Sequence, residues 1–276
     1  MMNTNKKYTF YLEITTSCNF SCPFCPSSKK ETHYYMNEKD IYHIIDEIGN
    51  HIEIIYFHVL GEPFLHPNFI DILNYVESKK IYFGITTNGV LLNNFKEEVF
   101  KYHYLKKVNI SLQSLIQLKY DEIDDYMNNL KCVINYRKSI DSKIPINLRL
   151  WNNKDDINII KLNSYIYEIN NDFINNNVNI RISEADEFEW PDERKVNNDV
   201  LSSCLGGKKQ FAILHDGTIC LCCLDYQGKT KLGNLLHDNF CDILNSDLYN
   251  TVINHFNDHK PYFKLCQTCT FRNRFK

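Results

Sequence analysis

The run CNFSCPFC, residues 18–25, places three thiols within eight positions, at gaps of three and then two residues, with Phe24 directly before the last. An odd number of thiols cannot pair off among themselves. A structural zinc site wants four thiolate or imidazole ligands, usually as two close pairs. Three ligands on one short loop suit a four-iron cluster that keeps one iron open to another group. The run follows a strand candidate, YTFYLEIT at 8–15. It therefore sits at a strand's C-terminal end, where parallel α/β barrels build their sites.

Working outward, the first two-thirds of the chain alternate short apolar runs with longer amphipathic ones. Further strand candidates are 53–60, 81–87, 108–113, 146–151 and 178–183, rich in Ile, Val, Tyr and Phe. Helix candidates lie near 37–49, 67–79, 91–102, 119–139 and 154–173. Pro67 suits a first helical turn, and Asn88-Gly89 is a turn dipeptide. Alternation of this kind builds parallel βαβ units. The fold class predicted is α/β, a partial (β/α)6 TIM-like barrel, with a doubly wound open sheet as the competitor.

Residues 184–203 are polar, contain Pro191, and read as a linker. Beyond Cys204 the chain is cysteine-dense. Two short strands are expected around Asp216-Gly217, then short helices near 238–257. The domains expected are 1–190, the barrel, and 191–276, a small cysteine-rich unit.

The chain of 276 residues carries a net charge of −3, so no overall basic field points to nucleic acid. No apolar run reaches the ~18 residues of a membrane span, and the N-terminus lacks a signal-peptide core. The reading is cytosolic. Thiols stay reduced there, so eleven cysteines argue for metal or redox chemistry over a disulfide scaffold.

C-x3-C-x2-C with an aromatic before the third cysteine resembles the signature of the radical SAM superfamily. The resemblance implies that Cys18, Cys22 and Cys25 hold a 4Fe-4S cluster. It implies that S-adenosyl-L-methionine (SAM) caps the open iron, and that one electron cleaves it to a 5′-deoxyadenosyl radical. Gly61-Glu62-Pro63 stands where the family has Gly-Gly-Glu, with Leu60 replacing the first glycine. It implies a hold on the cofactor's amino group, which a Glu62 carboxylate supplies chemically. Phe24, Thr86, Asn88, Ser111, Gln113 and Arg149 are the other cofactor-binding candidates that the resemblance supplies. Ser111 and Gln113 are expected to share a strand face, and Arg149 to meet a carboxylate. Each also has a plain reading as a turn former or a solvated strand-end residue.

Cys204, Cys222, Cys266 and Cys269 form a second set, C-x17-C and then C-x2-C. Four thiolates saturate one four-iron cluster. With Gly217 five residues before Cys222 and Leu232-Gly233-Asn234 after it, the set resembles a SPASM domain or its shorter relative, Twitch. The expectation is Twitch, with a single auxiliary 4Fe-4S cluster. Cys220 shares a strand face with Cys222 and stays an alternative ligand, while the glycine spacing favours Cys222. The thiolate pattern does not by itself separate zinc from iron–sulfur. Cys132 is expected in the core.

The implied activity is oxidation of substrate: hydrogen-atom removal, then transfer of one electron to the auxiliary cluster. Loss of a proton calls for a base, with Glu13, Glu184, Asp186 and Asp225 as candidates. The chain starts directly at the first strand, without a leader-binding domain, and this favours a small polyol or amino sugar as substrate. A peptide maturase is the second reading, and a non-enzymatic zinc or cluster sensor the third. A flavodoxin- or ferredoxin-type electron donor is the expected partner.

Overall fold

The structure, a computed structural model, describes residues 6–29, 32–175, 179–193 and 204–274. Strands β1 (Tyr8–Leu12), β2 (Ile52–Tyr56), β3 (Phe83–Thr87), β4 (Leu105–Ser111), β5 (Ile146–Trp151) and β6 (Ile180–Ala185) lie parallel in chain order. Between them run helices α1 (Glu38–Ile48), α2 (Phe69–Ser78), α3 (Lys96–Val99), α4 (Tyr120–Ser139) and α5 (Ile157–Asn175). This is the partial barrel that the alternation predicts.

Each long helix forms because its apolar residues recur at helical spacing. Ile41, Ile44, Ile45 and Ile48 make one buried stripe on α1, and Asn37 caps its first turn by accepting from Lys39 N–H at 2.9 Å. Phe69, Ile72, Leu73 and Val76 do the same on α2. These stripes cover one face of the strands: Phe10, Ile55, Phe83, Ile85, Val108, Ile110, Ile146 and Leu148 are all essentially inaccessible. Burying each such side chain contributes about 1.5–3 kcal/mol before chain entropy is charged against it.

The other face, toward the barrel lumen, is polar. Tyr11, Tyr56 and Gly84 are register neighbours on β1, β2 and β3. A Cβ at Gly84 would stand 2.3 Å from the Tyr56 ring, so glycine makes room for the tyrosine. Thr86, Asn109 and Asn147 form the next rung, with Asn109 donating to Thr86 Oγ1 at 3.2 Å and Asn147 donating to Asn109 Oδ1 at 3.3 Å.

The C-terminal segment continues this sheet. β7 (Gln210–Ile213) pairs parallel with β1, and β8 (Thr218–Cys220) and β9 (Lys231–Asn234) follow antiparallel around the Asp216-Gly217 turn. Phe211 packs on Phe10 and Phe240, inside the same core. Helices α6 (Phe240–Asn245), α7 (Asp247–Asn257) and α8 (Lys264–Thr268) complete the chain. No helix among the described residues is long and apolar enough to cross a membrane.

Three expectations change. The strand expected at 108–113 ends at Ser111, and Leu112–Gln117 is a 3-10 helix, so Ser111 and Gln113 do not share a strand face. Cys132 lies on the exposed side of α4, because the buried stripe of that helix runs through Leu130, Val133 and Ile134. Glu184 and Ala185 belong to β6, so they are not linker. Residues 194–203, on which most of the expected linker and domain boundary falls, lie outside the described residues.

Candidate active site

Residues 13–29 and 32–36, beyond the end of β1, are pinned to each other. Thr15 Oγ1 donates to Tyr34 O at 2.9 Å, and Tyr34 N–H donates to Thr16 Oγ1 at 2.9 Å. Within this frame the Cys25 N–H reaches Cys22 O at 3.0 Å, closing a tight turn between the last two thiols. Polar groups converge on the sulfurs. Gln117 Nε2 donates to Cys22 Sγ at 3.2 Å, Asn88 Nδ2 to Cys18 Sγ at 3.8 Å, and Cys25 Sγ lies 3.0 Å from Ser27 Oγ. Burial pushes the Cys22 thiol up to about 12, and the neighbouring charges of Cys25 and Cys18 push the same way. Cys18 is also raised, by burial first. A bound cationic centre would take the protons from these thiols, since thiolates are its ligands.

Among the described residues, no three His, Cys, Asp or Glu side chains stand close enough to share a single metal ion. The thiols nonetheless feel one another's charge.

The loop after β2 packs directly onto the cysteine loop. Glu62 N–H donates to Ser17 O at 2.7 Å, and Gly61 adopts φ +77°. A Cβ at Gly61 would stand 2.3 Å from Thr15 O. Gly61→Ala is therefore expected to lose about 2–4 kcal/mol of stability, through both clash and backbone strain, as read by urea unfolding. An unchanged midpoint would contradict this packing.

The Glu62 carboxylate is buried. Its Oε1 accepts from Thr87 Oγ1 at 2.8 Å and Phe64 N–H at 3.3 Å, and its Oε2 from Asn88 N–H at 2.7 Å. Burial raises it to about 7, against these three bonds that favour the charged form. Glu62 thus ties the ends of β2 and β3 together, and Pro63 opens the short 3-10 turn that follows. Asn88 is both turn former and sulfur neighbour, since its Nδ2 also reaches Asn19 Oδ1 at 2.7 Å. Ser111 lends its carbonyl to Ser114 Oγ at 2.6 Å. Gln113 Oε1 is buried without a partner, an acceptor that a bound donor would satisfy. Phe24 packs on Trp151 at 4.2 Å between ring centroids. Thr86 faces the lumen, and so does Arg149, which lies largely enclosed beside Tyr11, Tyr56 and Cys223. These residues fit a cofactor carrying both donors and acceptors.

The second thiol group also converges. Burial raises Cys222 and Cys266, and both are raised further by Cys204; Cys266 is raised by Cys269 as well. The Arg272 guanidinium counters this at Cys204, Cys266 and Cys269, as a buried cation beside thiolates should. Cys220 stands apart, fully buried beside Asp225 and Thr230.

The four expected bases separate into two kinds. Glu13 is fully buried, accepting from Leu60 N–H at 3.1 Å and lying 3.0 Å from His215 Nδ1. Asp225 is buried and accepts from Lys229 N–H, Thr230 N–H and Thr230 Oγ1. Both staple loops. Glu184, which accepts from Tyr167, and Asp186 stay exposed at the end of β6.

Past Asp186 opens a cavity of about 840 Å³, lined by Phe24 and Cys25 on one side and by Glu187, Trp190, Tyr226 and Lys229 on the other. Arg274 Nη2 fixes this wall by donating to Asp186 O at 2.6 Å and Glu187 O at 3.1 Å. Sequence reading missed the wall. Its polar run hid Phe188 and Trp190, whose rings meet Phe271 and Tyr226 edge to face. Gln117 was missed too, although it closes the same 3-10 helix that carries Gln113.

A model of the radical SAM superfamily matches residues 12–158, and a model described as an iron–sulfur cluster-binding domain, SPASM, matches residues 204–270. The chain is 36% identical over 87 residues to the tungsten-containing aldehyde ferredoxin oxidoreductase cofactor-modifying protein of Pyrococcus furiosus, covering 30% of this chain and 24% of that protein. It is 24% identical over 302 residues to a probable GTP 3′,8-cyclase of Methanocaldococcus jannaschii, covering 92% and 95%. The chain spans about a quarter of the length of the Pyrococcus relative. The fold is similar to BtrN in complex with AdoMet and 2-DOIA (TM-score 0.61, 14% identity, covering 96% of this chain and 93% of that one). It is also similar to Streptococcus suis SuiB bound to the precursor peptide SuiA (TM-score 0.63, 18% identity, covering 96% and 71%).

Proposed function

The chain belongs to the radical SAM superfamily, and from that premise we propose that it oxidises a small, hydroxyl-bearing metabolite such as a polyol or amino sugar. When bound, S-adenosylmethionine on a four-iron–four-sulfur cluster supplies, on one-electron reduction, a radical able to take a hydrogen atom from carbon. Cys18, Cys22 and Cys25 hold that cluster, with Gln117 and Asn88 donating to two of the sulfurs. Phe24, Gly61, Glu62, Pro63, Thr86, Asn88, Ser111, Gln113 and Arg149 frame the cofactor. An ammonium near Glu62 favours its charged form and sets the cofactor's orientation. Cys204, Cys222, Cys266 and Cys269 hold one auxiliary cluster that accepts an electron from the oxidised substrate. Residues 1–190 carry the first function and 191–276 the second.

One observation carries this reading: the cavity of about 840 Å³ is bounded by Cys25 and Phe24 on one side and by Tyr226, four residues beyond Cys222, on the other. A compact molecule there lies between the two thiol groups. Of the four expected bases only Glu184 and Asp186 remain exposed, with Glu184 turned to Tyr167 of α5 and Asp186 directly before the cavity-lining Glu187. A flavodoxin- or ferredoxin-type donor supplies the electron that starts the cycle. A peptide substrate is the second reading, supported by the likeness to the peptide-bound SuiB fold.

The test is isotopic. Carbon-deuterated polyols, amino sugars and short peptides are incubated anaerobically with the reconstituted protein, S-adenosylmethionine and dithionite. Deuterium is expected in 5′-deoxyadenosine from a polyol or amino sugar. Transfer from peptides alone would replace the first reading with the second.

A further inference from the structure

Cys241 belongs to neither thiol group, and it is exposed. It sits in the first turn of α6, where its N–H donates to Asn239 Oδ1 at 2.9 Å. Its Sγ lies 3.5 Å from His51 Nε2, across 190 positions of sequence. His51 is buried and belongs to the 3-10 turn that leads into β2.

The imidazole is held in place from the other side. Its Nδ1 lies 3.3 Å from Lys6 O, and its ring meets Phe240 edge to face at 5.2 Å between centroids. Glu47 of α1 accepts from Phe240 N–H at 2.7 Å, which anchors the start of α6 beside the ring. A backbone carbonyl only accepts, so the Nδ1 that faces Lys6 O carries the hydrogen of the neutral ring. Nε2 is then the bare nitrogen, and it faces the thiol. A thiol, a base and a group that orients the base are the parts of an activated nucleophile. Cys132 of α4 is exposed as well, and among the described residues no histidine bonds to it.

The pair lies at the N-terminal ends of β1 and β2, since Lys6 precedes Tyr8 and His51 precedes Ile52. The loop of Cys18, Cys22 and Cys25 leaves the opposite end of β1. Cys241 thus stands outside the candidate active site.

We propose that Cys241 is a modification site, a thiol that His51 activates for exchange with small soluble disulfides of the glutathione type. His51 Nε2 takes the Sγ proton, and the thiolate attacks one sulfur of the disulfide. The new bond to Sγ forms as the reagent's S–S bond breaks. The leaving thiolate takes the proton from the imidazolium and departs as a thiol. One disulfide replaces another, so the step consumes no further oxidant. It is independent of the substrate that the clusters serve.

A free thiol is only a few per cent thiolate near neutral pH. Sharing its proton with an imidazole raises that fraction by roughly tenfold, and the weaker nucleophilicity of the resulting thiolate leaves a net gain of about threefold.

The experiment exposes the full, reconstituted chain, freed of added thiols, to glutathione disulfide at neutral pH under anaerobic conditions. Mixed disulfide at Cys241 and at Cys132 is followed by mass spectrometry of the digested chain, and the ratio of the two rates is compared with that of the chain unfolded in urea. Folding is expected to raise the ratio by about threefold or more. His51→Asn, whose amide can still donate to Lys6 O, should abolish the rise while the rate at Cys132 stays unchanged. If His51→Asn does not fold, His51→Gln is read in its place. A ratio that does not rise on folding, or a rise that persists without the imidazole, overturns the proposal.

Discussion

Cys22→Ser protein is expected to release no 5′-deoxyadenosine above background when given S-adenosylmethionine and dithionite. Cys22 is the one thiol of the N-terminal three in the buried class. It is fixed by a turn to Cys25 and by the Gln117 amide. Serine keeps the shape and loses the soft sulfur that iron prefers. Two remaining thiolates cannot hold a cluster with one open iron, so there is nowhere for the cofactor to bind or for the electron to enter. The core lies on the opposite face of the strands, so the variant is expected to stay folded. Iron content should fall from about eight to about four per chain, the four of one cluster. Cofactor cleavage at a rate near wild type in a folded Cys22→Ser protein would remove the N-terminal loop from the chemistry.

Cys266→Ser should give the opposite split. It also loses about four irons, but from the second group, where Cys266 lies with Cys204 and Cys269. Cleavage of S-adenosylmethionine should continue at a rate within a few-fold of wild type, while oxidised substrate disappears, because the electron from the substrate has no acceptor. The readout is the ratio of product to 5′-deoxyadenosine, expected to drop to background. Equal loss of cleavage in both variants, with both folded, would show that the two groups do not divide the work as proposed.

What was legible in the sequence follows from the range of the interactions involved. Local periodicity gave six strands and the long helices, since a stripe such as Ile41, Ile44, Ile45 and Ile48 needs no partner to be seen. The two cysteine groups were legible as spacing. Long-range contacts were not. The pairing of β7 with β1 joins residues some 200 positions apart, and short-range patterns carry no sign of it. Glu13 and Asp225 looked like bases because nothing local shows that Leu60, His215, Lys229 and Thr230 already engage them. Residues 186–193 read as linker because their charges outweigh Phe188 and Trp190, yet in the fold those rings pack as a wall.

The most direct measurement is Mössbauer spectroscopy of the iron-57-reconstituted Cys266→Ser protein, which isolates the N-terminal cluster, with and without S-adenosylmethionine. The expected spectrum has one iron in four distinct from the rest, and that iron alone shifts when the cofactor is added. Four equivalent irons indifferent to the cofactor, or a protein that takes up zinc and no iron, would contradict the assignment of Cys18, Cys22 and Cys25 to an open-coordinate cluster.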